Sequence, residues 1–112
     1  MKKLFKNYTY EFDKNEAKII SSFCKQAISQ MSSNQDFYKD VKAFESIQNK
    51  ISENPFEVKL TKDEKTRLVH QLIQNRDHIK KTLDNSGFIK KWFYKTMYNQ
   101  YNNLIETHFS NY

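Results

Sequence analysis

Three histidines, one cysteine and a pair of aspartates are the residues of this 112-residue chain whose types could support metal or acid–base chemistry. His70 and His78 lie eight residues apart on one expected helix, roughly 80° around an axis that turns about 100° per residue. A helical zinc pair needs two ligands four residues apart on one face, and this spacing does not supply it. His70, Gln74 and Asp77 do share a side, but a Gln amide is a poor metal ligand. These histidines, with His108, therefore read as surface residues. Asp36 and Asp40 sit one helical turn apart, a spacing suited to a shared proton or a hard cation. Lys39 and Lys42 flank them and nothing else acidic completes a site, so both read as solvated carboxylates. Cys24 is the single cysteine, which excludes an intrachain disulfide and a multi-cysteine zinc site. It falls on the apolar face of an expected helix with no histidine nearby in sequence, the pattern of a small buried hydrophobe rather than a nucleophile. A chain with one glycine has no phosphate-cradling loop, and it carries neither a Walker loop nor a nucleophile elbow. No catalytic centre, metal or cofactor is expected.

The stronger lead is a group of side chains that could hold a partner. Phe88 and Trp92 are one turn apart on the last expected helix, and Trp92 points about 100° away from Phe93 and its apolar stripe. Lys91, Lys95 and Asn99 share that outer side. A Trp among lysines, away from the core stripe, is the composition of an exposed interface anchor. In the competing reading, Phe88 and Trp92 cover the 84–87 turn. Tyr94, Tyr98, Tyr101 and Tyr112 widen the aromatic arc of this helix to roughly 160°. That width predicts a helix packed centrally in the fold; a homodimer contact is the alternative. Arg76 falls between Ile73 and Ile79 on an apolar stripe, where a charge is costly unless paired. Either its stem packs while its head reaches the edge, or it forms a buried ion pair with Asp40 or Glu45.

The elements that must position these residues follow from an internal repeat. Tyr8–Glu16 reappears 48 residues later as Phe56–Glu64, a period within the range of structural repeats. Each copy has a short β-favouring run, then a helix-capping signal, then an amphipathic helix. Residues 5–12 read as a strand with Tyr8, Tyr10 and Phe12 on one side. Asp13 and Glu16 form a capping box, and the helix that follows carries Ile19, Ile20, Phe23, Cys24, Ala27, Ile28 and Met31 as its stripe. After Ser32-Ser33-Asn34, a second helix runs from about Gln35 to Ser52 with Phe37, Val41, Phe44, Ile47 and Ile51 inward. Pro55 ends it, because the residue before a proline is driven from helical angles. Phe56–Leu60 is the second strand, and Thr61 with Glu64 is the second capping box. The third helix, about Lys62 to Leu83, buries Leu68, Val69, Leu72, Ile73, Ile79 and Leu83. Asp84–Gly87 is the turn. The fourth, about Phe88 to His108, presents Phe93, Met97, Tyr101, Leu104 and Ile105.

One Gly and one Pro argue for long helices and few tight turns, and nine Phe with seven Tyr give a core despite a mean hydropathy of −0.91. The fold expected is a single α+β domain over 1–112, mostly α, with four helices, a two-stranded sheet and repeat halves at about 5–53 and 54–110. An all-α four-helix bundle with both extended segments unpaired is the alternative. Met1-Lys-Lys-Leu-Phe-Lys opens like a signal peptide, yet no apolar stretch follows it and none approaches a membrane span. A cytoplasmic protein without membrane contact is expected. The net charge of +6 comes almost wholly from Lys, since only Arg67 and Arg76 are Arg. Forked recognition of bases and phosphates favours Arg, so the leading class is a non-enzymatic protein-interaction module whose partner has an acidic surface. Small size and AT-rich residue usage are similar in style to phage and mobile-element accessory proteins, among them inhibitors of host defence proteins of the anti-CRISPR kind. The alternative is a basic nucleic-acid-binding accessory protein, using Lys80, Lys81, Lys90, Lys91 and Lys95 with Trp92 for stacking.

Overall fold

A computed structural model of the chain describes residues 7–85 and 87–109, with the side chains of Asn7, Phe88, Ile89 and Lys90 outside that description. The elements run β1 (Asn7–Tyr10), α1 (Lys14–Met31), α2 (Tyr38–Glu53), β2 (Val58–Thr61), α3 (Lys62–Asp84) and α4 (Phe88–His108), with a single 3-10 turn over Gln35–Phe37 before α2. The protein is a mostly helical α+β fold. Its strand–helix–helix order occurs twice, and β1 pairs with β2, so the all-α alternative does not hold. The expected strand start at residues 5 and 6 lies outside the described residues, as does Tyr112.

The chain divides into two compact units, Met1–Arg67 and Leu68–Tyr112. This boundary falls inside α3 and not at the Asn54-Pro55 junction between the repeat halves. The cause is strand pairing: β2 opens the second half in sequence but is hydrogen-bonded to β1.

Within the first unit, β1 and β2 are antiparallel with Asn7 opposite Thr61, Tyr8 opposite Leu60, Thr9 opposite Lys59 and Tyr10 opposite Val58. Tyr10 and Val58 are also equivalent positions of the repeat, 48 residues apart. Matching residues of the two copies thus face each other across this antiparallel strand pair. Val58 and Leu60 are fully buried while Lys59 and Thr61 are exposed, the period of two expected of a strand covered on one face. Phe12 is fully buried, stacks on Tyr10 with ring centroids 5.6 Å apart, and donates its N–H to the Pro55 carbonyl at 2.9 Å. Burial, with Tyr8 alongside, pushes the Tyr10 hydroxyl up to about 12. Phe56, the repeat partner of Tyr8, is not in the strand. Its N–H is taken by the Asn54 side chain at 3.1 Å, in an Asx turn that starts the strand two residues late.

The first capping box forms as expected. Glu16 donates its N–H to Asp13 Oδ1 at 2.7 Å, and Asp13 donates its N–H to Glu16 Oε1 at 3.0 Å. From there α1 buries Ala17, Ile20, Phe23, Cys24 and Ala27 against α2, which buries Ala43, Phe44, Ile47 and Ile51. Phe23 and Phe44 meet edge to face, centroids 6.3 Å apart at 81°, a geometry favoured by the aromatic quadrupole. Cys24 is fully enclosed and its thiol is pushed up to about 12 by burial. Because the thiolate is the reactive form, enclosure and the upward shift both disfavour chemistry at this sulfur. Phe37 departs from the expected stripe and is exposed. It belongs to the 3-10 turn, whose tighter winding shifts its phase relative to α2. Ala43 takes the inward place instead, and Val41 is half-buried.

In the second unit, α3 buries Leu68, Val69, Leu72 and Ile79, with Ile73 and Leu83 half-buried. In α4 burial is confined to Tyr101, Leu104 and Ile105, followed by Phe109 beyond the helix end. Among the described residues Arg76 makes no buried ion pair. Its Nε donates to the exposed carboxylate of Asp77 and its Nη1 to Asn102 Oδ1, each at 3.2 Å, tying α3 to α4. Asp40 is engaged elsewhere, at 2.8 Å from Nη1 of Arg67, so it is half-buried and paired rather than solvated. Glu45 is exposed.

Candidate interaction surface

The surface begins where α4 begins. Gly87 is the N-cap, in extended backbone at φ −71° and ψ 173°, and among the described residues no side chain caps the helix. The first turn holds no acid; it holds Lys90 and Lys91 instead, and no Asp or Glu occurs from Phe88 to Asn103. A helix N-terminus carries roughly half a positive charge from its unpaired N–H groups, which acids ordinarily offset. Here cations are added to it. The other helix starts obey the rule, with Glu16 in α1, Asp40 in α2 and Asp63 with Glu64 in α3. Local charge logic is therefore broken at one helix start, the kind of departure expected where function has displaced stability.

The same segment fails to bury its large side chains. Trp92 is 74% exposed and Phe93 55% exposed. Lys91, Lys95 and Asn99 are exposed too, and Tyr94 and Tyr98 are half-buried. Phe93 packs edge-on against Tyr94 at 5.5 Å, which holds one aromatic beside another on the surface. The Thr96 hydroxyl donates to the Trp92 carbonyl at 3.1 Å, within the helix. Lys91 and Lys95 have no carboxylate within ion-pair distance among the described residues. Of the five residues singled out in the sequence, Lys91, Trp92, Lys95 and Asn99 thus stand together in solvent, and the side chain of Phe88 lies outside the described residues.

The spacing sets Phe93 on the inward stripe, yet it is part of the exposed group. Helical periodicity marks which side chains share a face; it does not mark how far along the helix that face is covered. From Lys91 to Gln100 no side chain is buried, whereas Tyr101, Leu104 and Ile105 are. The wide arc thus splits along the axis, packed at one end and open at the other. The available signal was the missing acid and missing cap at the same helix start.

Other candidate chemistry stays apart. His70 and His78 are exposed, and His108 lies beside Phe109, ring centroids 6.2 Å apart. Among the described residues no three His, Cys, Asp or Glu side chains converge on a point where a cation could be held. Among the described residues no helix is long and apolar enough to cross a membrane. Comparison with protein families, characterised proteins and solved structures finds no match for this chain.

The open cap yields a direct expectation. A Cβ added at Gly87 meets nothing within 4 Å, and its φ is one that any residue adopts. Gly87→Asp supplies an N-cap acceptor, an anion at the positive helix end and a stiffer unfolded chain. We expect about 1 kcal/mol of stabilisation, read as a higher urea midpoint. A midpoint that falls would show that the start of α4 is satisfied by something other than solvent.

Proposed function

We propose that this protein is a non-enzymatic interaction module that binds an acidic surface of another protein through the first half of α4. The observation that carries the reading is Trp92, a large aromatic left 74% exposed on a helix end that lacks both acid and cap. Trp is the residue most enriched at interface hot spots, and the uncompensated positive end selects an anionic partner by charge. In this reading Trp92 and Phe93 enter an apolar recess of the partner while Lys91 and Lys95 meet carboxylates around it. Asn99, two turns on, supplies an amide at the rim. Residue usage and size extend the proposal to a phage or mobile-element protein that inhibits a host defence protein in the cytoplasm by occupying its surface.

The like charge of Lys91 and Lys95 opposes a two-fold homodimer through this face, since an isologous contact brings the same lysines together. Nucleic acid is the second reading, favoured by the same exposed indole, on which a base can stack.

Affinity capture with the full chain tests the proposal. An acidic protein should be retained by the wild type, and Trp92→Ala should weaken it by about thirtyfold or more, equivalent to ~2 kcal/mol. Lys91→Glu with Lys95→Glu should weaken it comparably, while circular dichroism is unchanged. Loss of helical signal in Trp92→Ala would make Trp92 a structural residue and remove the site. Capture of nucleic acid whose affinity falls steeply with salt would transfer the surface to the second reading. A solution mass near twice 13.6 kDa that Trp92→Ala restores to the monomer would make this face a self-contact.

A further inference from the structure

A second surface lies wholly in the first unit. The start of α2 and the start of α3 leave between them an open cleft of about 520 Å³. Tyr38, Lys39, Lys42 and Ala43 form its α2 side; Thr61, Asp63, Glu64 and Arg67 lie on the other. The volume is in the range of ligand sites, but the cleft is wide open, which suits a chain segment better than a small molecule that needs enclosure.

Its charge is what selects an occupant. The Arg67 guanidinium is held on two sides, Nη1 to Asp40 at 2.8 Å and Nε to Asp63 at 3.0 Å. Glu64, in the same wall, is neutralised by Lys50 at 2.7 Å. Arg67 offsets only one of its two carboxylates, so Lys39 and Lys42 leave the cleft a surplus of one positive charge. Lys39 and Lys42 are both exposed, and among the described residues neither has a carboxylate within ion-pair distance. Tyr38 is 62% exposed, with the Lys42 ammonium 5.6 Å from its ring centroid. The cleft therefore offers two unpaired cations, an aromatic wall and the small apolar floor of Ala43, framed by side chains already fixed in ion pairs.

We propose that this cleft docks a short acidic peptide segment, with carboxylates on Lys39 and Lys42 and one aromatic or aliphatic side chain lodged against Tyr38 and Ala43. The peptide is the occupant favoured because two cations and an apolar wall lie side by side, which a bare anion cannot use. The proposal is independent of the α4 surface.

The test is a titration of the isotope-labelled full chain with the capped peptide Glu-Glu-Tyr-Glu-Glu, followed by amide chemical shifts. We expect saturable shifts at Tyr38, Lys39, Lys42 and Thr61, weakened about tenfold by Lys39→Gln with Lys42→Gln. Tyr38→Ala should weaken them further. Both variants alter exposed side chains, and their undisturbed amide spectra would confirm the fold. Trp92 is the only tryptophan, so an unchanged emission spectrum separates this site from α4, and Trp92→Ala should bind the peptide equally well. Equal shifts with inorganic phosphate at the same concentration would overturn the proposal, because the cleft would then read charge alone. Equal shifts with Lys-Lys-Tyr-Lys-Lys, or shifts that survive the double Gln variant, would overturn it too.

Discussion

Phe44→Ala should lower stability by about 4 kcal/mol, the cost of a large core truncation plus the lost aromatic pair. Phe44 is fully buried in α2 and meets Phe23 of α1 edge to face at 6.3 Å. Truncation leaves a void between two helices whose Cys24, Ala27 and Ala43 are too small to fill it. With a urea slope of about 2 kcal/mol per molar, the unfolding midpoint should move down by roughly 2 M. Tyr38→Ala, on the same helix but largely exposed, is the internal control and should stay within about 0.5 kcal/mol of wild type. A Phe44→Ala cost below about 1 kcal/mol would mean that α1 and α2 do not pack through this face.

Glu64→Ala should cost about 3 kcal/mol, for a different reason. This carboxylate is buried and does two tasks. It completes the second capping box, accepting the Thr61 N–H at 2.9 Å while its own N–H goes to Thr61 Oγ1 at 3.1 Å. It also reaches α2, accepting from the Ser46 hydroxyl and from Lys50 Nζ at 2.7 Å. Removing it leaves a half-buried ammonium and a backbone donor unpaired, which is where the cost lies. Burial by itself would raise the carboxyl, but hydrogen bonds from Lys50, Ser46 and Thr61, with the charge of Lys50, outweigh it and hold Glu64 below its usual 4.5. A carboxylate depressed in the folded state contributes stability that is present above its unfolded value and lost as pH falls through its folded one. The wild type should therefore lose part of its stability below about pH 4.5. Glu64→Gln, which keeps the shape but not the charge, should be less stable at pH 7 and lose less on acidification. Parallel urea-midpoint curves for the two proteins from pH 7 to pH 3 would show that Glu64 carries no such linkage.

Much of this architecture was legible because it is local. Helix starts at Asp13 and Thr61 could be read from capping boxes, the end of α2 from the residue before Pro55, and the inward stripe of α1 from its spacing. The pairing of β1 with β2 followed from the repeat, since two lone strands need each other. Phe37 and Phe93 escape a reading by spacing for two reasons: Phe37 sits in a 3-10 turn out of phase with α2, and the stripe that holds Phe93 does not say where coverage stops. Trp92 was legible as a candidate because it sits off the stripe among lysines. The cleft beside Tyr38 was not, since Lys39 and Arg67 are 28 residues apart.

The order of elements, the two capping boxes and the lack of acid at the start of α4 are written in the chain locally, because each depends on neighbours within about one helical turn. Tertiary structure decided what those local features are used for. The boxes at Asp13–Glu16 and Thr61–Glu64 are near copies, yet only the second is buried and bound to Lys50 and Ser46, because α2 passes beside it. Asp40 and Arg67 became partners in the same way. Burial and ion pairing depend on which surfaces meet after the chain has turned back on itself, and residues close in sequence carry no record of that meeting.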